Sequence, residues 1–308
     1  MIFHIVKSYY RSFLGSKSVF FINLFGLSSA LACTLLIYLW IKDEMSFDKF
    51  HEKDDQLFQV MENIHNSNEI ITREATPIGM SELLLETMPE VEYAATVTPM
   101  AWFPRFIIEH SGGRLKNEGK FVGEDFFNIF SYPLLYGDND QVLQGRYSII
   151  ISERLAKTLF GSAGNAMGKT IAWELGHFKK GCQVTGVFED VPYNSQDQFD
   201  LILPIDLLAE LMNFSTHELG PPGPSSFVIL KKETDREAFN KKLSKLMASK
   251  KGQKETDFFV VSYSSKYLNG NFDNGQQAGG RIQYVKLFAI IALVILSIAC
   301  INFMNLTT

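Results

Sequence analysis

The chain has 308 residues, with 29 Lys and Arg against 34 Asp and Glu, for a net charge of −5. This mild acidic balance excludes the broad basic surface of a nucleic-acid binder, and the length allows one large domain or two modest ones. Three cysteines, Cys33, Cys182 and Cys300, are too few and too scattered for a disulfide framework.

Apolar residues are distributed unevenly. Residues 2–14 predict a short amphipathic helix, with Ile2, Ile5, Val6, Tyr9 and Phe13 on one face and His4, Lys7, Ser8 and Arg11 on the other. Such a helix suits an anionic membrane surface, and residues 1–18 are read as a cytoplasmic segment. Residues 19–41 carry no charge, nor do residues 287–308, and each run is long enough to cross a bilayer. Core helices of this length would show a polar face, and these do not. The spans are placed at 19–41 and 284–308. Gly26 and Ala30, with Ser29 and Cys33 beside them, would admit a close helix partner. Lys7, Arg11 and Lys17 precede the first span without any acid, whereas all 34 acids fall within residues 42–283. The positive-inside rule therefore puts the N-terminus in the cytoplasm and 42–283 outside, and the second span returns inward. Ala30-Leu31-Ala32-Cys33 faintly resembles a lipoprotein cleavage site, but apolar residues continue through Ile41, which argues against processing.

The outer segment reads as mixed α/β, with βαβ-like units at both ends. Strands are expected at Leu57–Ile64 and Glu92–Thr98. Thr76 caps and Pro77 opens an expected helix that stops at Pro89. Arg105–Glu109 and Lys120–Val122 flank a Ser111-Gly112-Gly113 turn. Ser148–Ile151 is a strand, and Ser152 caps a helix through Phe160. Lys169–Glu174 and Gln183–Phe188 are strands joined through Gly176 and Gly181. Pro221-Pro222-Gly223-Pro224 is the clearest break. Strand Phe227–Leu230, a helix with Phe239, Leu243, Leu246 and Met247 on one stripe, and strand Phe258–Tyr263 follow. Asn269–Gly280 is read as a flexible polar lead into the second span, with Gly279-Gly280 either a hinge or a linker.

The residues offer little catalytic chemistry. Ala163 to Thr170 fits a relaxed phosphate-loop pattern, but a true phosphate loop follows a strand and opens a helix, and here the expected order is reversed. His4, His51, His65, His110, His177 and His217 show no metal-ligand spacing, and no serine sits in a nucleophile elbow. The expectation is a binding or mechanical protein rather than an enzyme, with no catalytic, cofactor or metal residues.

Several segments carry a resemblance. Phe126-Phe127-Asn128-Ile129-Phe130-Ser131-Tyr132-Pro133-Leu134-Leu135-Tyr136-Gly137-Asp138 is one, and Ile151 to Gly161 with Gly168-Lys169-Thr170 is a second. Val184 to Pro192, Ile301 to Thr308, Tyr9-Tyr10-Arg11 and Glu44 to Asp48 complete the set. In this order they resemble the N-terminal half of a MacB/FtsX-type ABC transporter permease of the kind common in Bacteroidota. Ala166-Met167 departs from the family's usual Pro-Ile. The resemblance implies a MacB-like periplasmic core domain over residues 42–283, porter-like with an inserted subdomain and flanked by two transmembrane helices. It implies a partner ABC ATPase and a second permease copy or half, with a periplasmic adaptor a further partner. It also implies mechanotransmission in efflux, lipoprotein release or control of cell-wall enzymes. Since family members continue with further helices, the chain is expected to extend beyond Thr308. The competing readings are a membrane sensor such as a histidine kinase, which has the same topology, and a tethered enzyme or lipoprotein processed at Cys33.

Overall fold

The structure is a computed structural model, and it describes residues 17–305 except 104, 111–112 and 252–255. The amphipathic segment expected at 2–14 and the final residues 306–308 lie outside the described residues. The chain divides into one unit of residues 1–46 with 279–308, called here the helical unit for the two helices it holds among the described residues, and a compact unit spanning 47–278.

In the helical unit, α1 (Lys17–Glu44) and α9 (Ile282–Asn305; α2–α8 lie between) are, among the described residues, the two helices long and apolar enough to cross a membrane. They pack against each other through Trp40 and Phe288, whose rings lie 5.0 Å apart edge to face. Arg281 pairs with Glu44 at 3.5 Å near one end, and Asn302 donates to Asn23 at 3.4 Å near the other. The expected close partner at Gly26 is not α9, because a Cβ built there meets nothing within 4 Å.

The compact unit is built on one mixed sheet of 13 strands among the described residues. Its outer sequence segments supply β1 (Leu57–His65), β2 (Ile70–Arg73), α2 (Met80–Thr87) and β3 (Val91–Val97) from the front. They supply β12 (Ser225–Leu230), α7 (Arg236–Lys251) and β13 (Thr256–Ser262) from the rear. The four main strands lie in the order β13-β1-β12-β3, each antiparallel to its neighbour. Each βαβ unit thus straddles a strand of the other, the split arrangement of porter-like domains. Val60, Ala94, Val228 and Phe258 face α2 and α7, where they meet Met80, Leu84, Phe239, Leu243 and Met247 in one core. Leu57, Ala95, Phe227 and Ile229 point to the opposite face, as the two-residue strand period requires.

The middle of the chain is inserted between these two units. It contributes β4 (Phe106–His110), β5 (Gly113–Asn117), β6 (Gly119–Val122), α3 (Phe126–Ile129), β7 (Leu134–Tyr136) and β8 (Ser148–Ser152). It continues with α4 (Glu153–Phe160), α5 (Ala163–Ala166), β9 (Thr170–Leu175), β10 (Phe178–Phe188), β11 (Leu201–Pro204) and α6 (Ile205–Met212). The sheet passes into this half where Val97 of β3 pairs with Val122 of β6, then runs β6-β11-β8-β10-β9-β4-β5. Helices α4, α5 and α6 cover one face through Leu155 and Leu159, Ala163 and Ala166, and Leu208 respectively. The other face joins the core begun by Leu57 and Phe227, so a single aromatic core backs both halves. Ser152 caps α4 as expected, its hydroxyl accepting from Leu155 N at 3.2 Å.

Several local expectations need correction. Thr76 does not cap α2, which starts at Met80 after Gly79; its buried hydroxyl donates to Pro224 O at 3.1 Å and meets Ser226 Oγ at 2.7 Å. Pro77 instead bridges Pro222. The 106–110 strand pairs with Gly113–Asn117 across the glycine turn, while 119–122 pairs with β11 and β3. Gly181 lies inside β10, not in its connection to β9. The polar lead at 269–280 is ordered: after α8 (Tyr263–Asn269), β14 (Phe272–Asp273) and β15 (Gln276–Gln277) form a hairpin. Asn274 and Gly275 turn it with φ of 51° and 81°, the left-handed pair that a tight hairpin requires. Asn274 Oδ1 accepts from Ile70 N, and Gly275 O accepts from Asn63, tying the hairpin to β2 and β1.

The β13 edge shows how an exposed strand is blunted. Ser244 Oγ accepts from Phe258 N at 3.0 Å and donates to Phe258 O at 2.9 Å, and Asn240 Oδ1 accepts from Val260 N at 3.0 Å. Helix α7 thereby occupies the backbone groups that would otherwise recruit another strand. Replacing both residues by Ala (N240A/S244A) should lower stability by about 2–4 kcal/mol in a denaturant melt of the detergent-purified chain. An unchanged midpoint would mean that water replaces these caps without cost.

Candidate functional site: a junction cluster and an acid-lined cleft

The compact unit begins at Phe47, directly after the first apolar helix in sequence, and it ends shortly before the second. Its incoming segment is fastened to the inserted half and to α8. Asp48 is buried and held at a left-handed φ of 56°, which Asp tolerates better than most residues. Its carboxylate accepts from Gln196 N at 3.1 Å and Gln196 Nε2 at 2.6 Å, and its own N–H donates to Asn194 O at 2.9 Å. Burial raises the Asp48 carboxyl above its ordinary value, and the Gln196 bonds oppose that rise. The neighbouring loop is fixed again where Lys120 pairs with Asp197 at 2.5 Å.

Three residues on, His51 is buried against Phe50, Phe130, Tyr132 and Tyr263, with ring centroids 4.2–5.6 Å away. Its Nδ1 accepts from Ser131 N at 3.1 Å, and Ser131 Oγ accepts from Glu52 N at 2.9 Å. Nδ1 is therefore the acceptor and Nε2 carries the proton. Nε2 itself has no hydrogen-bond partner. The outgoing segment closes the cluster, with Tyr267 of α8 stacked on Phe47 at 4.3 Å and 6° and Tyr263 against His51, Phe130 and Phe227. The residues that follow one apolar helix and those that precede the other thus share one aromatic core.

On another side of the domain, a cleft of about 220 Å³ opens between α2, the end of β3, the turn after β6 and the segment around Phe214–His217. Gly79 enters it with φ of 81° and passes so close to Glu218 O that a Cβ would stand 2.5 Å away, so only Gly fits. Glu82, Glu124, Asp125 and Asp206 line the cleft. Burial raises Glu124 and Asp125 above the usual carboxylate range, and Glu124 is raised further by Asp206, Asp125 and Glu82. Thr216 donates to Asp206 at 3.0 Å, and His217 pairs with Glu82 at 2.7 Å, which raises the imidazole. Ser81 is engaged by Thr96 at 3.0 Å rather than by a base. Among the described residues, no three Asp, Glu, His or Cys converge on a metal-holding arrangement. The Ala163–Thr170 stretch follows α4 and leads into β9, the reverse of a phosphate loop.

The sequence of most of the chain, residues 20–246, matches the family described as MacB-like periplasmic core domain. The chain belongs to this family. It is thus a MacB/FtsX-type ABC transporter permease, a membrane protein with a periplasmic domain. A domain assigned to a permease of Porphyromonas gingivalis shares the fold, with a TM-score of 0.54 and 22% identity over 69% of this chain and 93% of that one. The periplasmic region of MacB from Actinobacillus actinomycetemcomitans aligns at 18% identity over 68% and 89%, with a TM-score of 0.48. The extracellular domain of the noncanonic ABC-type transporter YknZ from Gram-positive bacteria aligns at 14% identity over 67% and 99%, also at 0.48. No curated protein matches the chain significantly.

Within this MacB-like domain, the signature stretch Phe126–Tyr132 supplies the aromatic wall of the junction cluster. Sequence reasoning placed Asp48 inside a resembling motif without giving it a role, weighed His51 only as a metal ligand, ended a strand at Tyr263 where a helix begins, and did not name Gln196 or Tyr267. An Asp and a His directly after an apolar span, embedded in Phe and Tyr, were the available signal.

Two outcomes follow for the cluster. Burial holds His51 at about 4, below its ordinary 6.5, so the fold favours the neutral ring. That stabilisation is complete above pH 6.5 and is lost as the pH falls toward 4, at most about 3 kcal/mol. His51→Asn keeps an acceptor for Ser131, and its melting temperature should fall less than wild type between about pH 7 and about pH 4.5. Parallel melting curves would contradict the assignment. Asp48→Ala removes both Gln196 bonds, and in the same melts at neutral pH it should cost about 2–4 kcal/mol.

Proposed function

We propose that the chain is the permease subunit of an ABC transporter in which ATP hydrolysis by a partner ATPase in the cytoplasm changes the shape of the periplasmic domain. In this reading the N-terminus is cytoplasmic, the protein is multi-pass in the inner membrane, and it works with a second permease copy or half. The domain acts mechanically and not as an enzyme, in efflux, lipoprotein release or control of cell-wall enzymes.

One observation supports this reading above the others. Phe47, next to Asp48, and Tyr267, one helical turn from Tyr263, stack on each other at 4.3 Å, where the domain meets its incoming and outgoing segments. A relative displacement of the helices would be delivered at that contact. Packed cores respond to such a load by switching between discrete arrangements rather than by deforming smoothly. The loop at Asn194–Asp197, held by Asp48 and Lys120, would then carry the displacement into the inserted half.

The test is to lock the contact. In a background with Cys33 and Cys300 replaced by Ala, Phe47→Cys with Tyr267→Cys is oxidised in nanodiscs with the co-purified ATPase. ATP turnover should drop several-fold on oxidation and recover on reduction. Complete cross-linking with unchanged turnover would overturn the proposal.

A further inference from the structure

Charge in the outer segment is segregated. Residues 231–251 hold eight Lys and Arg against three Asp and Glu, a net of +5, whereas the rest of residues 42–283 holds 17 against 31, a net of −14. The basic stretch is α7 and its approach. Phe239, Leu243 and Met247 bury one stripe of α7. Lys241 and Lys245, four residues apart, lie opposite that stripe at 3.6 residues per turn, and with Arg236 and Lys250 they are exposed. Lys242 is neutralised by Glu90, and Lys231 donates to Pro89 O. Arg236, Lys241, Lys245 and Lys250 form no ion pair with the described residues.

The chemistry of this face selects among anionic partners. Between the cations stand one exposed acid, Glu237, and Ala238, Ala248 and Ser249, so the face keeps a net positive charge and offers no aromatic or aliphatic anchor. Protein interfaces draw their affinity from such anchors and favour Arg, whose planar fork matches carboxylates. A face of lysine point charges without anchors fits a surface of phosphates, where each Lys contributes independently. The apolar stripe is committed to the core, so the helix cannot insert and would bind by charge alone. The same chain carries two helices apolar enough to cross a bilayer, one on each side of the domain in sequence.

We propose that the exposed face of α7 docks electrostatically on anionic phospholipid headgroups. This rests on membrane anchorage and not on coupling to an ATPase, so either reading can fail without the other. The full chain is reconstituted in nanodiscs of phosphatidylcholine alone or enriched in phosphatidylglycerol. Lysines are acylated with a water-soluble reagent and read by peptide mass spectrometry, and binding of added phosphatidylglycerol vesicles is measured in parallel for a face oriented away from its own bilayer. Labelling of Lys241, Lys245 and Lys250 should slow by about threefold or more in the anionic discs, or the chain should bind the anionic vesicles, and high salt should abolish either effect. Lys53, paired with Glu92 elsewhere in the domain, should be indifferent to lipid. Lys241→Glu with Lys245→Glu should abolish the lipid-dependent protection of Lys250 and weaken vesicle binding by more than about tenfold, while the melting temperature stays unchanged. Equal labelling in both discs with no vesicle binding would overturn the proposal. Protection by polyglutamate but not by anionic lipid would also overturn it, in favour of an acidic protein partner.

Discussion

The fold depends on one shared aromatic core. Leu57, Ala95, Phe227 and Ile229 of the porter-like half and Val122, Ile150, Phe188 and Ile202 of the inserted half lie on the same side of one sheet. Helices cover the opposite side in two separate groups, each over its own half. Neither half can hide its second face alone, so Phe126, Phe127, Phe130, Tyr132 and Phe199 must cover both. Fully burying each such ring stabilises the fold by about 1.5–3 kcal/mol, so this wall is what chiefly binds the halves together. The edge-to-face contacts at 5.1–5.6 Å among Phe130, Tyr132, Phe199, Phe227 and Tyr263 fix its geometry.

The same core receives the chain's incoming and outgoing segments, which gives the permease reading its physical content. His51 and Tyr263 are both part of the wall, and Asp48 fixes the adjoining loop of the inserted half. A load reaching Asp48 or Tyr263 would therefore act on the packing between halves. The acid-lined cleft lies on the boundary between the same halves, lined by Glu82 and Thr96 from one and by Glu124 and Asp206 from the other. A shift between the halves would change its width and the repulsion among its carboxylates.

Legibility in the sequence followed the range of the interactions. Both apolar helices were readable because length and absence of charge suffice, and Ser152 was readable because a cap is satisfied three residues away. Thr76 was misread because its hydroxyl serves Pro224 and Ser226, some 150 residues on, and nothing local distinguishes that from a cap. The partner of β4 was misassigned because two short strands followed the same glycine turn. Asn274-Gly275 was a true hairpin signal, hidden because its strands are two residues long. The junction cluster escaped for a related reason: Asp48 meets Gln196 and His51 meets Ser131 only in the folded chain. A search for nucleophiles and metal ligands has no purchase on a site made of aromatic packing.

In the proposed reading, motion of the membrane helices reaches the domain through this core. Hydrogen exchange on the membrane-embedded chain with its ATPase, with and without a non-hydrolysable ATP analogue, tests it most directly. The account predicts that protection changes at residues 47–52, 192–197 and 263–267 together, while α4 and β9 stay constant. Nucleotide-dependent changes confined to the apolar helices, with these three segments unaltered, would contradict it.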